Sequence, residues 1–172
     1  MDTNVSERIE VNRKKYECLL KDDNYTDVRF NPENGALAAT HIDYIFDKAI
    51  GIFGIERGEY ERISLDVLYQ NGNSVVLGSE KTNYKKKIAD GILNEKKFDI
   101  KGIEGIGENN IINDIKDVNK KGVESIVFYY HERKLFDEKR LKESYSSYLR
   151  NSKSQRIKDV YFIVDKNLFK LI

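Results

Sequence analysis

The chain has 172 residues, 40% apolar and 34% charged, with a formal net charge of +1 from 30 basic and 29 acidic residues. That length predicts one domain with a core of its own, and no stretch approaches the ~20 apolar residues of a membrane span. Cys18 is the single cysteine, which excludes an internal disulfide and a zinc site built from cysteine; His41 and His131 are the only histidines. Any metal is therefore expected on oxygen ligands, which favours Mg²⁺ or Mn²⁺.

Residues 6–21 read as a helix, with Ile9, Tyr16, Leu19 and Leu20 at helical spacing among charges. Met1 to Asn4 offers neither a basic nor an apolar leader region, so no signal peptide is expected. Residues 22–58 read as irregular, with a turn at Asn31-Pro32-Glu33-Asn34-Gly35 and glycines at 51, 54 and 58. They are expected to form a loop-rich cap over a site. A helix over 59–70 is closed by Asn71-Gly72. A short strand at 75–77 and a polar connection at 81–87 lead to a hairpin over 89–101. Glycines break the chain at 102–107. A helix over 109–121 carries Ile111, Ile112, Ile115 and Val118 and stops at Gly122. The apolar run 125–130 is a central strand. Asp137 caps a helix through residue 150 whose inner side holds Leu141, Tyr145, Tyr148 and Leu149. A strand at 160–164 and an edge at 168–172 finish the chain. The expected class is α/β, a mixed central sheet flanked by helices. Its organisation is an N-terminal helical segment at 1–25 and a single domain at 26–172.

The hairpin concentrates the chemistry. Side chains alternate along a strand, so Asp99 and Lys101 share a face. A turn centred between Glu95 and Lys96 sets Asp90 opposite Lys101 and diagonal to Asp99, roughly 7–8 Å away. Two carboxylates and an ammonium group then converge, a layout suited to a divalent metal and a scissile phosphate. Glu61 lies on the helical face of Leu65 and Leu68, so it points to the core rim, where a carboxylate is costly unless paired. The bland readings are a solvated hairpin with an Asp90–Lys101 ion pair, and a Glu61 paired with Arg57 or Arg62.

The order Glu61 on a helix, Asp90 on a strand and Asp99-Ile100-Lys101 on the next resembles the PD-(D/E)xK nuclease superfamily. Ala89 replaces the usual proline and the gap between the acids is short. The resemblance implies metal ligation by Glu61, Asp90, Asp99 and the Ile100 carbonyl, with Lys101 orienting water and stabilising charge. Residues 31 to about 165 also resemble toxin domains at the C-termini of phage head morphogenesis proteins, similar to the C-terminal tRNase domain of CdiA contact-dependent inhibition toxins. The segments carrying that likeness are 31–41, 69–77 and Phe98-Asp99-Ile100-Lys101. It implies a toxin cleaving tRNA, or nucleic acid more generally, in a bacterial cytoplasm. It further implies delivery as the C-terminal part of a larger secreted or phage-associated protein, and neutralisation by a cognate immunity protein.

His41 is either a general acid or phosphate ligand, or a packed loop histidine; His131 is expected to be structural. Lys85 to Lys87 and Lys96-Lys97 flank the hairpin, so Lys86 and Lys97 are candidate contacts to backbone phosphates. Two alternatives stand beside this reading, although the net charge of +1 gives no support to an immunity role. One is a metal-independent RNase of the barnase, EndoU or colicin type, centred on His41 and lysines. The other is a non-catalytic binding or immunity module.

Overall fold

The computed structural model describes residues 3–81, 88–107 and 109–172. Among the described residues there are four α-helices and eight strands, and the strands form one sheet whose spatial order follows the sequence. α1 (Thr3–Lys21) leads into β1 (Tyr25–Phe30) and β2 (Leu37–His41). α2 (Gly58–Gln70) crosses over to β3 (Ser74–Leu77), which pairs parallel to β2. β4 (Gly91–Leu93) and β5 (Lys96–Ile103) continue as an antiparallel meander. α3 (Asn110–Lys120) and α4 (Glu138–Asn151) are the crossovers that keep β5, β6 (Ser125–Tyr130) and β7 (Asp159–Val164) parallel. β8 (Asn167–Lys170) closes the edge antiparallel to β7. The expected mixed α/β sheet is the observed one. Among the described residues no helix is long and apolar enough to cross a membrane.

Residues 22–58 depart from the irregular reading, because they contain β1 and β2. Asp27 takes φ +52°, and the pairing shifts register between Thr26 and Arg29. That bulge interrupts the alternation by which a strand is recognised. Tyr16 of α1 stacks on Phe30 of β1 at 5.4 Å, and Asn12 Nδ2 donates to the Gly35 carbonyl at 2.8 Å. The helix is thereby tied to the sheet edge.

All six residues of β6 are buried, as expected for a central strand covered on both faces. Val127 and Tyr129 join Phe98, Ile100, Tyr60, Leu65 and Leu68 in the core under α2. Ile126, Phe128 and Tyr130 face the other way, against Ile111, Ile115 and Val118 of α3 and Leu141 and Tyr148 of α4. Asp137 caps α4 by accepting from the Arg140 amide. Leu149 departs from the expected inner side and is exposed; Ser144 is buried on that side instead.

Candidate acidic site at the open edge of β5

The hairpin turn lies at Asn94-Glu95, both at positive φ, and pairs Leu93 with Lys96 and Gly91 with Phe98. The turn is centred one residue earlier than expected, which shifts the pairing by two residues. The next pair along is Asp90 with Asp99, so Asp90 faces an acid rather than Lys101. β4 runs Gly91–Leu93, and among the described residues no strand lies beside this edge of β5 beyond Phe98. The Asp90 carboxylate fills the gap: its Oδ2 accepts from the Ile100 amide at 2.7 Å. The Asp90 amide in turn donates to Asp99 Oδ1 at 3.0 Å. The amide and carbonyl of one strand residue point to the same neighbour, so the Ile100 carbonyl also projects into this gap.

Asp99 is 1% exposed, and its second oxygen accepts from Lys121 Nζ at 2.6 Å. Lys101 is not on either hairpin acid; it reaches Asp117 Oδ2 at 3.5 Å. The geometry of α3 explains both pairs. Asp117 to Lys121 is about one helical turn, roughly 6 Å of rise, and Asp99 to Lys101 is two strand residues, roughly 6.6 Å. With α3 running back along β5, acid meets base at both levels. Lys121 was not singled out from the sequence; the available signal was this i, i+4 spacing facing the Asp-x-Lys of the strand.

Glu61 sits at the rim as expected, but with neither arginine. Arg57 donates to Glu104 and Arg62 to Glu59, while Glu61 Oε2 accepts from the Asp47 amide at 3.4 Å. Burial pushes the Glu61 carboxyl up to about 7 against the pull of that amide. Asp90 is also raised well above the carboxylate range, first by burial, then by the Asp99 and Glu61 charges, with Lys121 acting the other way. Glu80, a further acid not anticipated, is raised by burial and feels both Lys121 and Asp99. The buried Tyr44 hydroxyl is raised by burial and by the charges of Asp90, Glu61 and Glu80. It makes no well-formed hydrogen bond among the described residues, but it lies close enough to the Glu61 carboxyl to lower it. Among the described residues, Asp90, Asp99 and Glu80 thus share the field of the Lys121 ammonium group, and Glu61 acts on Asp90.

A polar cleft of about 310 Å³ runs past this edge, lined by Asp47, Arg57, Tyr60, Glu61, Ile100, Gly102 and Glu104. Glycine at 102 lets α2 approach, since a Cβ there would lie 2.5 Å from the Tyr60 ring. Glu104 ties the loop before α2 to the cleft by accepting from the Ile52 amide at 2.7 Å and from Arg57 Nε at 2.5 Å.

The remaining candidates divide. Lys97 is exposed, two residues before Asp99 on the same face of β5. Lys86 lies outside the described residues. His41 Nδ1 accepts the Asp43 amide at 3.0 Å and the ring packs edge-on to Tyr25. His131 lies among Phe53, Tyr60 and Tyr129.

The donor set suits a hard cation: all oxygen, with the carboxyl groups of Glu61, Glu80 and Asp90 raised by burial and the buried Tyr44 hydroxyl beside Glu61. Among the described residues no three His, Cys, Asp or Glu side chains converge to hold an ion by themselves. Mg²⁺ does not need that, because it is commonly held by one or two carboxylates, waters and substrate phosphate.

Neither a known family nor a curated protein matches the sequence. Among solved structures, the fold is similar to a chain of the CdiA-CT/CdiI toxin and immunity complex from Burkholderia pseudomallei. The TM-score is 0.50 at 19% identity, over 66% of this chain and 83% of that one. At that identity the likeness is one of fold.

Proposed function

We propose that the protein is a toxin-type, metal-dependent endonuclease of PD-(D/E)xK kind, acting on tRNA and answered by a cognate immunity protein. The observation that carries the reading is the electrostatic coupling of Glu61, Glu80, Asp90 and Asp99 beside Lys121, at a strand edge where, among the described residues, the Ile100 carbonyl has no strand beside it. Uncompensated buried carboxylates are costly, and cation binding offsets that cost. The fold likeness to a chain of a toxin and immunity complex supports the same reading at a coarser level.

In this reading Asp90, Asp99 and the Ile100 carbonyl hold Mg²⁺ or Mn²⁺, and Glu61 completes the acidic set. The ion supplies Lewis-acid polarisation of the phosphate and a water of lowered pKa. The chain's own groups do the rest. The Ile100 amide fixes the Asp90 carboxylate, and the Asp90 amide fixes Asp99. Lys101, held by a long contact to Asp117, orients water or neutralises charge developing on the phosphate. Lys97, and Lys86 from its neighbouring segment, bind backbone phosphates. The site of action is a bacterial cytoplasm, reached as part of a larger secreted or phage-associated protein. A His41-centred, metal-independent RNase is disfavoured because the His41 ring is engaged by its own turn.

The test is cleavage of total tRNA and of plasmid DNA in Mg²⁺, Mn²⁺ or EDTA, with Asp99→Ala and Lys101→Ala alongside. Metal-dependent tRNA cleavage lost in both folded variants is the expected result. Cleavage of plasmid alone moves the substrate to DNA. Cleavage that survives EDTA overturns the metal site, and no cleavage favours a binding or immunity module.

A further inference from the structure

The lysine in contact with the acidic pair is not the lysine of the Asp-x-Lys motif. Asp99 is almost fully buried, and its two oxygens accept from one neutral donor, the Asp90 amide, and one cation, Lys121. Among the described residues, the close donor to the Asp90 carboxylate is the Ile100 amide. Neutral amides orient a carboxylate but do not cancel its charge, so Lys121 bears most of the compensation for the pair. Lys101 is a level further along the strand, where it serves Asp117 and partly offsets the burial that raises the Asp114 carboxyl to about 6.

We propose that Lys121 is the resident counter-cation of the Asp90–Asp99 pair and that a divalent cation replaces it on Asp99 Oδ2. This rests on the metal-dependent reading above. Three features fit an exchange. Lys121 is the C-cap residue of α3, so its backbone is fixed while a flexible four-carbon stem carries the charge. Its side chain is 14% exposed against 1% for Asp99, so the ammonium group has a path to water that the carboxylate lacks. And an ammonium group and a metal ion repel, so they do not share one buried oxygen. Once displaced, the ammonium group remains at the same edge, where a substrate phosphate brings the next negative charge.

The experiment is Mn²⁺ titration by calorimetry on the full chain without nucleic acid, for wild type, Lys121→Met, Lys101→Met and Asp99→Asn. Removing the competitor is expected to tighten Mn²⁺ binding by about tenfold or more in Lys121→Met. Lys101→Met should match wild type, and Asp99→Asn should bind weakly. Lys121→Gln, which keeps a polar group beside Asp99, takes the place of Lys121→Met if the latter does not fold. Equal or weaker Mn²⁺ binding after loss of Lys121 overturns the exchange and leaves the metal site standing. Absence of Mn²⁺ binding in every protein overturns the metal site itself, and the exchange with it.

Discussion

The Lys121–Asp99 pair makes an asymmetric prediction for stability in metal-free buffer at pH 7. Lys121→Met leaves Asp99, 1% exposed, charged beside Asp90 with no cation on it. Breaking a buried pair from that side costs about 3–5 kcal/mol. Asp99→Asn instead leaves Lys121, which has some exposure and a long stem, and its ammonium group can move toward water. The lost charge-assisted bond is worth about 1.5–3 kcal/mol. Relief of the Asp90–Asp99 repulsion returns on the order of 1 kcal/mol. The expected net cost is therefore about 1–2 kcal/mol. For a domain of this length each kcal/mol moves Tm by about 2–4 °C. Lys121→Met should lower Tm by roughly 6–20 °C and Asp99→Asn by a few degrees. Differential scanning calorimetry in EDTA measures both. If Asp99→Asn costs as much as Lys121→Met, the lysine is not the group compensating the buried acids, and the reasoning fails.

Three further outcomes are expected. Glu61 is raised from 4.5 to about 7, so the native state binds the extra proton between those values. Its contribution is full below pH 4.5 and is lost as the pH rises through 7, by on the order of 1–3 kcal/mol. Glu61→Gln should flatten that part of the Tm-against-pH curve in EDTA, and an unchanged slope contradicts the assignment. Gly102→Ala forces a methyl against the Tyr60 ring and should cost about 1–3 kcal/mol by urea denaturation; a neutral change means α2 is free to move away. Glu104→Ala removes the acceptor of the Ile52 amide and of Arg57. Hydrogen exchange at Ile52 should accelerate at least tenfold while the amides of β6 stay protected, and equal exchange in the two proteins shows that another contact holds the loop.

Elements with strong periodicity were legible in the sequence. The apolar run at 125–130 is β6 to the residue, and Asp137 caps α4 through its side chain as its position suggested. β1 and β2 were not, because a left-handed Asp27 and a register shift break the first, and the second is the alanine-rich LAATH. The turn centre was missed by one residue for a related reason. Asn94 and Glu95 both adopt positive φ without a glycine to announce it. Moving the centre by one residue moves the partner of Asp90 by two, which keeps the face and exchanges a lysine for a second aspartate. Glu61 could be placed at the rim from helical spacing alone. Lys121 and Glu80 could not, since their approach depends on how α3 and the chain after β3 lie against β5.

Two carboxylates facing each other across adjoining strands oppose stability, since like charges directly opposite are unfavourable. The fold adds to that cost by burying Asp99 and raising Asp90. An apolar pair at 90 and 99 would extend the β4–β5 ladder and release Lys121 to solvent. Instead, three backbone and side-chain donors are committed to holding the acids in place: the Asp90 amide, the Ile100 amide and Lys121 Nζ. The parallel Lys101–Asp117 pair shows what the same helix and strand form with no acid opposite, a longer and more exposed contact. At the Asp99 level Asp90 adds a second strand carboxylate, brought in because β4 stops at Gly91. The early end of that strand is therefore the structural feature that turns an ordinary strand–helix ion pair into a site short of positive charge. Restoring the ladder with Asp90→Val and Asp99→Val should accordingly raise Tm while removing Mn²⁺ binding. A double variant that binds Mn²⁺ like wild type would place the ion elsewhere.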